Sequence, residues 1–376
     1  MNIEKEAYDK AVWILKKCAT PHGFFAAYPG YDMVFGRDSM IMSLGASLVG
    51  DKDLQLAIKR SIMTLARYQS PHGQIPNAVD KYTERRKHHV DYLSIDSTLW
   101  FLIGNYYYKE RYPKGSLMTR YRKNIENAFH WLACQDWSES GMLVQLPTTD
   151  WQDAFPHRYG HTINTQALYY CALKLYGRDR KAEKLKDLVN NNSDSGLWDP
   201  ERGYYLPWRW KNHGKYHEKG EWFDSLGNLL AIIFELADKE RADKILDYIK
   251  DHGVDRPYPV KTIYPAIRPR SKDWQDYFLD CGAGKPWHYS NGGIWTYIGG
   301  FYVMALVKMG RMKEAEFQLG KLAEANMQNN GNFAEWLHGK TGRIGKTEAK
   351  VDSFQGWNAA MYVAAYDSVK KRKTMI

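Results

Sequence analysis

Six stretches of this chain are apolar on every side of a helix, and they alternate with helix-length stretches that are apolar on one side only. The first set reads "DSMIMSLGASLVG", "STLWFLIGNYYY", "TQALYYCALKLYG", "SLGNLLAIIFELA", "GIWTYIGGFYVMALVKMG" and "GWNAAMYVAAYDS". A helix that is apolar all round has to be buried, whereas one with a single apolar stripe covers it. The spacing predicts helices over 3–18, 38–49, 53–69, 93–110, 118–134, 161–176, 179–190, 223–237, 239–252, 293–308, 312–328 and 354–371. Six buried helices alternating with six exposed ones make an inner and an outer ring. The fold class is therefore all-α, an (α/α)6 barrel. Short strand-like pieces such as "YYLPWRW" would be hairpins on one face. The long loops at 19–37, 71–92, 135–160, 191–222, 253–292 and 329–353 mostly precede inner helices, so they should gather at one end around a pocket. No linker divides the chain, and we expect one domain over 1–376. The unequal loops and the missing sequence repeat argue against an open helical array.

The loops are unusually aromatic. Trp, Tyr and Phe make up 14% of the chain, and many stand beside glycine and polar residues, as in "AAYPGYDMVFGRD" and "KPWHYSNGG". Rings of that kind offer an apolar face and a polar edge, which suits the C–H faces and hydroxyl edges of a sugar. The net charge of +10 invites a nucleic-acid partner. The basic residues are scattered among acids as on solvated helix faces, so we expect none; "KKRKTMI" reads as a frayed basic end. Cys18, Cys134, Cys171 and Cys281 form no CxxC pair; Cys18 and Cys171, within helical patterns, read as small buried residues of a reducing compartment. The N-terminal stretch lacks the pattern of a signal peptide, and no apolar run reaches the ~18 residues of a membrane helix. A soluble, cytoplasmic protein without a membrane partner is expected, its oligomeric state left open.

Acids mark the predicted pocket face. "LPTTDWQDAFPHRYGH" leads into the third inner helix with Asp150 and Asp153, and "NGNFAEWLHGKTGRIGK" leads to the sixth with Glu335. On a closed ring the third and sixth inner helices are opposed, so two carboxylates would face each other. One protonated and one ionised carboxyl is the equipment for glycoside hydrolysis. Helix capping by Asp153 and a surface pair between Glu335 and Lys340 or Arg343 are the plainer roles. Asp224 reads as a cap of the helix that follows it, and Trp100 as core.

"FGRDSM", "IDSTLWF", "DWQDAF…HTINTQALYY", "SNGGIWTYIGGFYVMAL" and "AEWLHGKTGRIGK…SFQGWNAAMY" occur in that order over about 25–370. The set resembles the alkaline/neutral invertases and the amylo-α-1,6-glucosidase domains of glycogen-debranching enzymes. More remotely it is similar to glucoamylases and mannosylglycerate hydrolases. The resemblance implies an inverting (α/α)6-barrel glycosidase with Asp153 as general acid, Asp150 its nearest competitor, and Glu335 as general base. It implies Arg37 and Asp38 as anchors of the terminal sugar, with Asp96, Gln166, Asn291, Trp295, Gln355 and Trp357 as further pocket residues. Trp151, His161 and Trp336, next to these motifs, complete the candidate substrate contacts. The chain is shorter than the invertases, lacks their long catalytic-loop insertion, and lacks the accessory domains of debranching enzymes, which suggests a small substrate such as a gluco-oligosaccharide, sucrose-like disaccharide or glucosylated solute. No cofactor or metal is expected, since there is no HExxH and no close His/Asp cluster. A sugar epimerase using paired histidines among His157, His161, His288 and His338, and a carbohydrate-binding protein without activity, are the competing readings.

Overall fold

The computed structural model describes residues 2–80, 89–191, 195–213, 216–279, 284–345 and 354–376. Its helices are α1 (Ile3–Cys18), α2 (Gly36–Val49), α3 (Lys52–Arg67), α4 (Asp96–Arg111), α5 (Arg122–Ala133), α6 (Ile163–Leu175), α7 (Asp179–Asn190), α8 (Ser225–Ile233), α9 (Lys239–Asp251), α10 (Thr296–Lys308), α11 (Met312–Asn326), the short α12 (Gln328–Gly331) and α13 (Gly356–Lys371). All twelve predicted helices are present. Helix α3 shows the outer type. Asp51 caps it by accepting from the N–H groups of Asp53 and Leu54 at 2.9 and 3.1 Å, and its buried positions 54, 57, 58, 61, 62, 65 and 66 form one stripe. Helix α10 shows the inner type, buried at every position from Thr296 to Val307.

The inner ring closes. Helices α2, α4, α6, α8, α10 and α13 pack each against the next, and α13 returns to α2. Two glycines permit the closure. A Cβ on Gly45 of α2 would stand 1.9 Å from Ala360 O of α13, and one on Gly300 of α10 would stand 2.6 Å from Met361 O. Only residues without a side chain let these backbones approach so closely. The fold is an (α/α)6 barrel, as the periodicity predicts.

The six long loops lie at one end, and backbone hydrogen bonds, in β pairs at every junction but the second, stitch each to the next. The first (19–35) meets the second (68–95) at Val34–Val79 and Phe35–Ala78. The second meets the third (134–162) where Ile95 N–H donates to Thr149 O at 2.8 Å. The third meets the fourth (191–224) at Thr162–Trp208 and His161–Arg209, and the fourth meets the fifth (252–295) at Phe223–Tyr264. The fifth meets the sixth (332–355) at Ile294–Leu337. The circle closes at Phe354–Tyr28 and Gln355–Ala27. This pairing trims three predicted helices, because 161–162, 223–224 and 354–355 are strands. Their apolar residues continue the helical period but are spent on a neighbouring loop. A small second core of Phe155, Trp208, Trp222, Ile263, Ile267 and Phe278 lies wholly within the loops.

One local reading needs correction. The "KKRKTMI" end is docked, since Met375 and Ile376 pack against the main core. Cys18 and Cys171 are buried, as expected, and Cys134 is exposed; Cys281 lies outside the described residues.

Candidate active site

Arg37 and Asp38 form the first turn of α2, and Asp96 opens α4. Helix N-termini favour carboxylates there. Arg37 Nη1 donates to both oxygens of Asp96 at 3.2 and 3.3 Å, and its Nε stands 3.6 Å from Asp38 Oδ2. Ser94 also donates to Asp96. All three charged groups are buried. Burial pushes the Asp38 and Asp96 carboxyls up, and the Arg37 guanidinium opposes it. Among the described residues Asp38 Oδ2 has no hydrogen-bond partner.

The two aspartates of the third loop have different positions. Asp150 is fully enclosed and committed: Arg158 donates to its Oδ2 at 2.5 Å, Gln145 at 3.1 Å, and Gln152 N–H reaches Oδ1 at 3.0 Å. The other arm of Arg158 reaches Asp224 Oδ2 at 2.6 Å. Asp224 sits at the N-cap position of α8 with no side-chain capping bond, its Oδ2 held by Arg158 instead. This buried Asp150–Arg158–Asp224 triad fixes the loop, and Asp153 is the carboxyl left open to the cleft. Solvent reaches Asp153 from the mouth, while protein crowds it from behind. The crowding dominates, and Asp153 is pushed up to about 6. Arg37 lowers it, whereas Asp150, Asp96 and Asp38 raise it.

Glu335 lies in the sixth loop, whose approach Asn358 of α13 holds by donating to Ala334 O at 2.7 Å. Its Oε1 accepts from Tyr31 OH at 3.3 Å and from Tyr289 OH at 3.5 Å. Burial raises it to about 7; the two hydroxyls oppose the shift, and the charges of Asp153 and Asp38 add to it. Glu335 and Asp153 thus feel each other across one cleft.

Beneath them lies an aromatic floor. The Trp151 ring is 5.8 Å from Trp295 and 5.7 Å from Tyr297, and Trp357 stacks on Tyr297 at 4.3 Å. The indole N–H groups of Trp151 and Trp357 and the Tyr297 hydroxyl have no hydrogen-bond partner among the described residues. Trp100, read as core, is core, with its ring 6.2 Å from Phe301.

The structure does not bring every predicted residue to this cleft. Gln166 is a buried staple whose amide accepts from Leu143 N–H at 3.0 Å and donates to Leu143 O at 2.8 Å. His161 Nδ1 is 3.2 Å from that same Leu143 O. Asn291 spends its amide on the backbone of Ile267 and Gly284. Trp336 packs behind Tyr289, between His288 and Gly345. Gln355 belongs to the strand that joins the sixth loop to the first. These residues brace the walls. The histidines do not form one cluster: His157 bonds Tyr277 at 3.0 Å, whereas His288 and His338 stand together beside Trp336 with ring centroids 4.8 Å apart, and His338 Nδ1 accepts from the Lys340 and Thr341 N–H groups, each at 3.2 Å. Sequence reading missed Tyr31, Tyr289, Tyr297 and Arg158. The first two stood in loops noted only as aromatic, Tyr297 reads as plain helix core, and Arg158 carries no local pattern.

Residues 196–371 match the family described as alkaline and neutral invertase. A neutral/alkaline invertase 1, mitochondrial, of Oryza sativa subsp. japonica is 31% identical over 170 residues, which are 45% of this chain and 26% of that protein. A probable alkaline/neutral invertase D of Arabidopsis thaliana is 35% identical over 147 residues, 38% of this chain and 26% of that protein. The match with these curated relatives thus spans about a quarter of their length. Among solved structures, the GH63 mannosylglycerate hydrolase of Thermus thermophilus in complex with Tris and D-glycerate superposes with a TM-score of 0.70 at 16% identity. The superposition covers 95% of this chain and 99% of that one. Glu335 falls inside the matched stretch and Asp153 before it. The C-terminal half of the chain, from the fourth loop through α13, thus matches the alkaline and neutral invertase family in sequence, and the whole is built on the barrel fold of a glycosidase.

Proposed function

We propose that the protein is an inverting, exo-acting glycoside hydrolase that cleaves a small α-glucoside. The observation that carries this reading is the pair Asp153 and Glu335, two raised carboxyls from the loops before the third and sixth inner helices, over one aromatic floor. Asp153 protonates the glycosidic oxygen. Glu335 takes a proton from water, whose oxygen attacks the anomeric carbon from the other side. Carboxyls titrating at about 6 and about 7 in one cleft lose their protons as a coupled pair. The higher value belongs to Glu335, so the productive form, Asp153 protonated and Glu335 ionised, is the less populated of the two singly protonated forms. The two hydroxyls on Glu335 and the charges of Asp150, Asp96 and Asp38 near Asp153 favour it, whereas Arg37 near Asp153 and Asp38 near Glu335 oppose it. Arg37 and Asp38 bind hydroxyls of the terminal sugar, and Trp151, Trp295 and Trp357 support its ring. The rings of the floor continue through Phe301 into Trp100 of the core, which supports a pocket closed beneath a terminal sugar and so exo action.

Proton NMR of the protein with sucrose, maltose, isomaltose, kojibiose, trehalose and glucosylglycerate tests this. One α-glucoside should release β-glucose first, and Asp153→Asn and Glu335→Gln should each lower the rate about a thousandfold. Release of α-glucose first would refute inversion, and a free sugar changing configuration without bond cleavage would replace the hydrolase reading.

A further inference from the structure

We propose that Tyr31 and Tyr289 are positioning residues for Glu335: they clamp Oε1 from two loops and leave Oε2 as the atom that takes the proton from water. The proposal rests on the hydrolase reading above. Both hydroxyls donate to the same oxygen, at 3.3 and 3.5 Å, and neither has another hydrogen-bond partner among the described residues. A carboxylate with one oxygen held on two sides cannot turn freely about its terminal bond. Its second oxygen then has one orientation toward the cleft.

The backbone shows that this arrangement is over-determined. Tyr31 has φ 45° and Tyr289 φ 40°, and Trp287 and Phe333, which flank the same site, have φ 72° and 48°. A residue with a Cβ is crowded in that region and stays there only where its surroundings hold it. For Tyr289 the holders are visible: its carbonyl accepts from Trp295 Nε1 at 3.1 Å and from Gly293 N–H at 3.1 Å. Its ring stands edge-on to Trp295 at 4.9 Å. Tyr31 is carried by the first loop, which the Tyr28–Phe354 and Ala27–Gln355 pairs tie to the loop of Glu335.

The chemistry is consistent. Oε2 of Glu335 takes a proton from water as the water oxygen bonds to the anomeric carbon. The glycosidic C–O bond breaks, its electrons go to the leaving oxygen, and that oxygen takes the proton of Asp153. Around Glu335 stand Tyr31 and Tyr289 from the first and fifth loops, Asp153 from the third, and Asp38 from α2. Burial and the Glu335 and Asp153 charges push both tyrosine hydroxyls up, so they remain neutral donors throughout the working range.

Tyr31→Phe, Tyr289→Phe and the double variant test the clamp, with Tyr28→Phe, from the same loop, as control. Each single variant should lower kcat about tenfold, with KM within about twofold. The limb of the pH–rate profile that follows Glu335, the upper one, should move to higher pH, because an anion that has lost a donor holds its proton more tightly. In parallel, 13C-carboxyl NMR follows the titration of Glu335, assigned by the resonance that Glu335→Gln removes. Its midpoint should rise in both Phe variants and stay in Tyr28→Phe. An unmoved midpoint overturns the clamp whatever the activity; so does a kcat loss without any shift of the profile, which would mark the tyrosines as merely structural. A midpoint that moves in a protein hydrolysing none of the sugars would uphold the clamp and refute the hydrolase reading instead.

Discussion

At the scale of single residues, the two carboxyls of the cleft predict a pH dependence. The productive form has one of them protonated and the other ionised. With values of about 6 and about 7, kcat/KM should trace a bell that peaks between those limbs, and a profile flat from pH 5 to 8 would count against the pair. The same shift has a stability consequence. The folded state raises Asp153 above its unfolded value, so it contributes stability at pH below about 4 that is lost as pH rises through about 6. Asp153→Asn removes the ionised group. It should raise the melting temperature at pH 8 by a degree or two, roughly 1 kcal/mol after discounting for solvent screening, and leave it unchanged near pH 4. Calorimetry at the two pH values would show it. Asp153 and Glu335 stood out in the sequence because both lie in aromatic loops before inner helices; the choice of Asp153 over Asp150, the acid next to Trp151, came only from the family resemblance. Gln166 and Asn291 were misplaced because an amide that binds backbone looks the same in sequence as one that binds sugar.

At the scale of elements, the third loop depends on a charge cluster that no motif announces. Arg158 is separated from Asp150 by eight positions and from Asp224 by sixty-six, and all three are fully buried or nearly so. Arg158→Met would leave two carboxylates enclosed without their cation. We expect a loss of about 3–5 kcal/mol and of most activity, since Asp153 rides on the same loop; urea unfolding and a rate assay would measure both. Helix packing gives a second expectation. Gly45→Ala places a methyl group 1.9 Å from the α13 backbone, and the ring must open there at a cost of about 3 kcal/mol. The helices themselves were readable because inner and outer types differ in how many of their sides are apolar. The ends at 161–162, 223–224 and 354–355 were not, because their pairing partners lie in other loops.

At the scale of the whole molecule, charge and shape separate the two ends of the barrel. The cleft holds Asp38, Asp96, Asp153 and Glu335, with Arg37 as counter-charge. Much of the positive excess lies at the far end. The α4–α5 connection over 109–123 has six basic residues and one acid, and 370–373 is wholly basic. Arg111 of the first region donates to Ser47 O near the C-terminal end of α2 at 3.0 Å. Closure of the floor predicts the product pattern: on a gluco-oligosaccharide, chromatography should show glucose and the chain shortened by one unit from the first minutes. Early internal fragments would mean a cleft open at both ends.

The sequence by itself determined the ring, because burial on all sides or on one side is a property of each helix and is written in its own residues. It also determined that the long loops share an end, since they all precede inner helices. Only the tertiary structure decided which acid of the third loop stays open to the cleft, which amides brace the walls, and which tyrosines hold Glu335. Those outcomes depend on contacts between loops far apart in the chain, where one partner's identity says nothing local about the other.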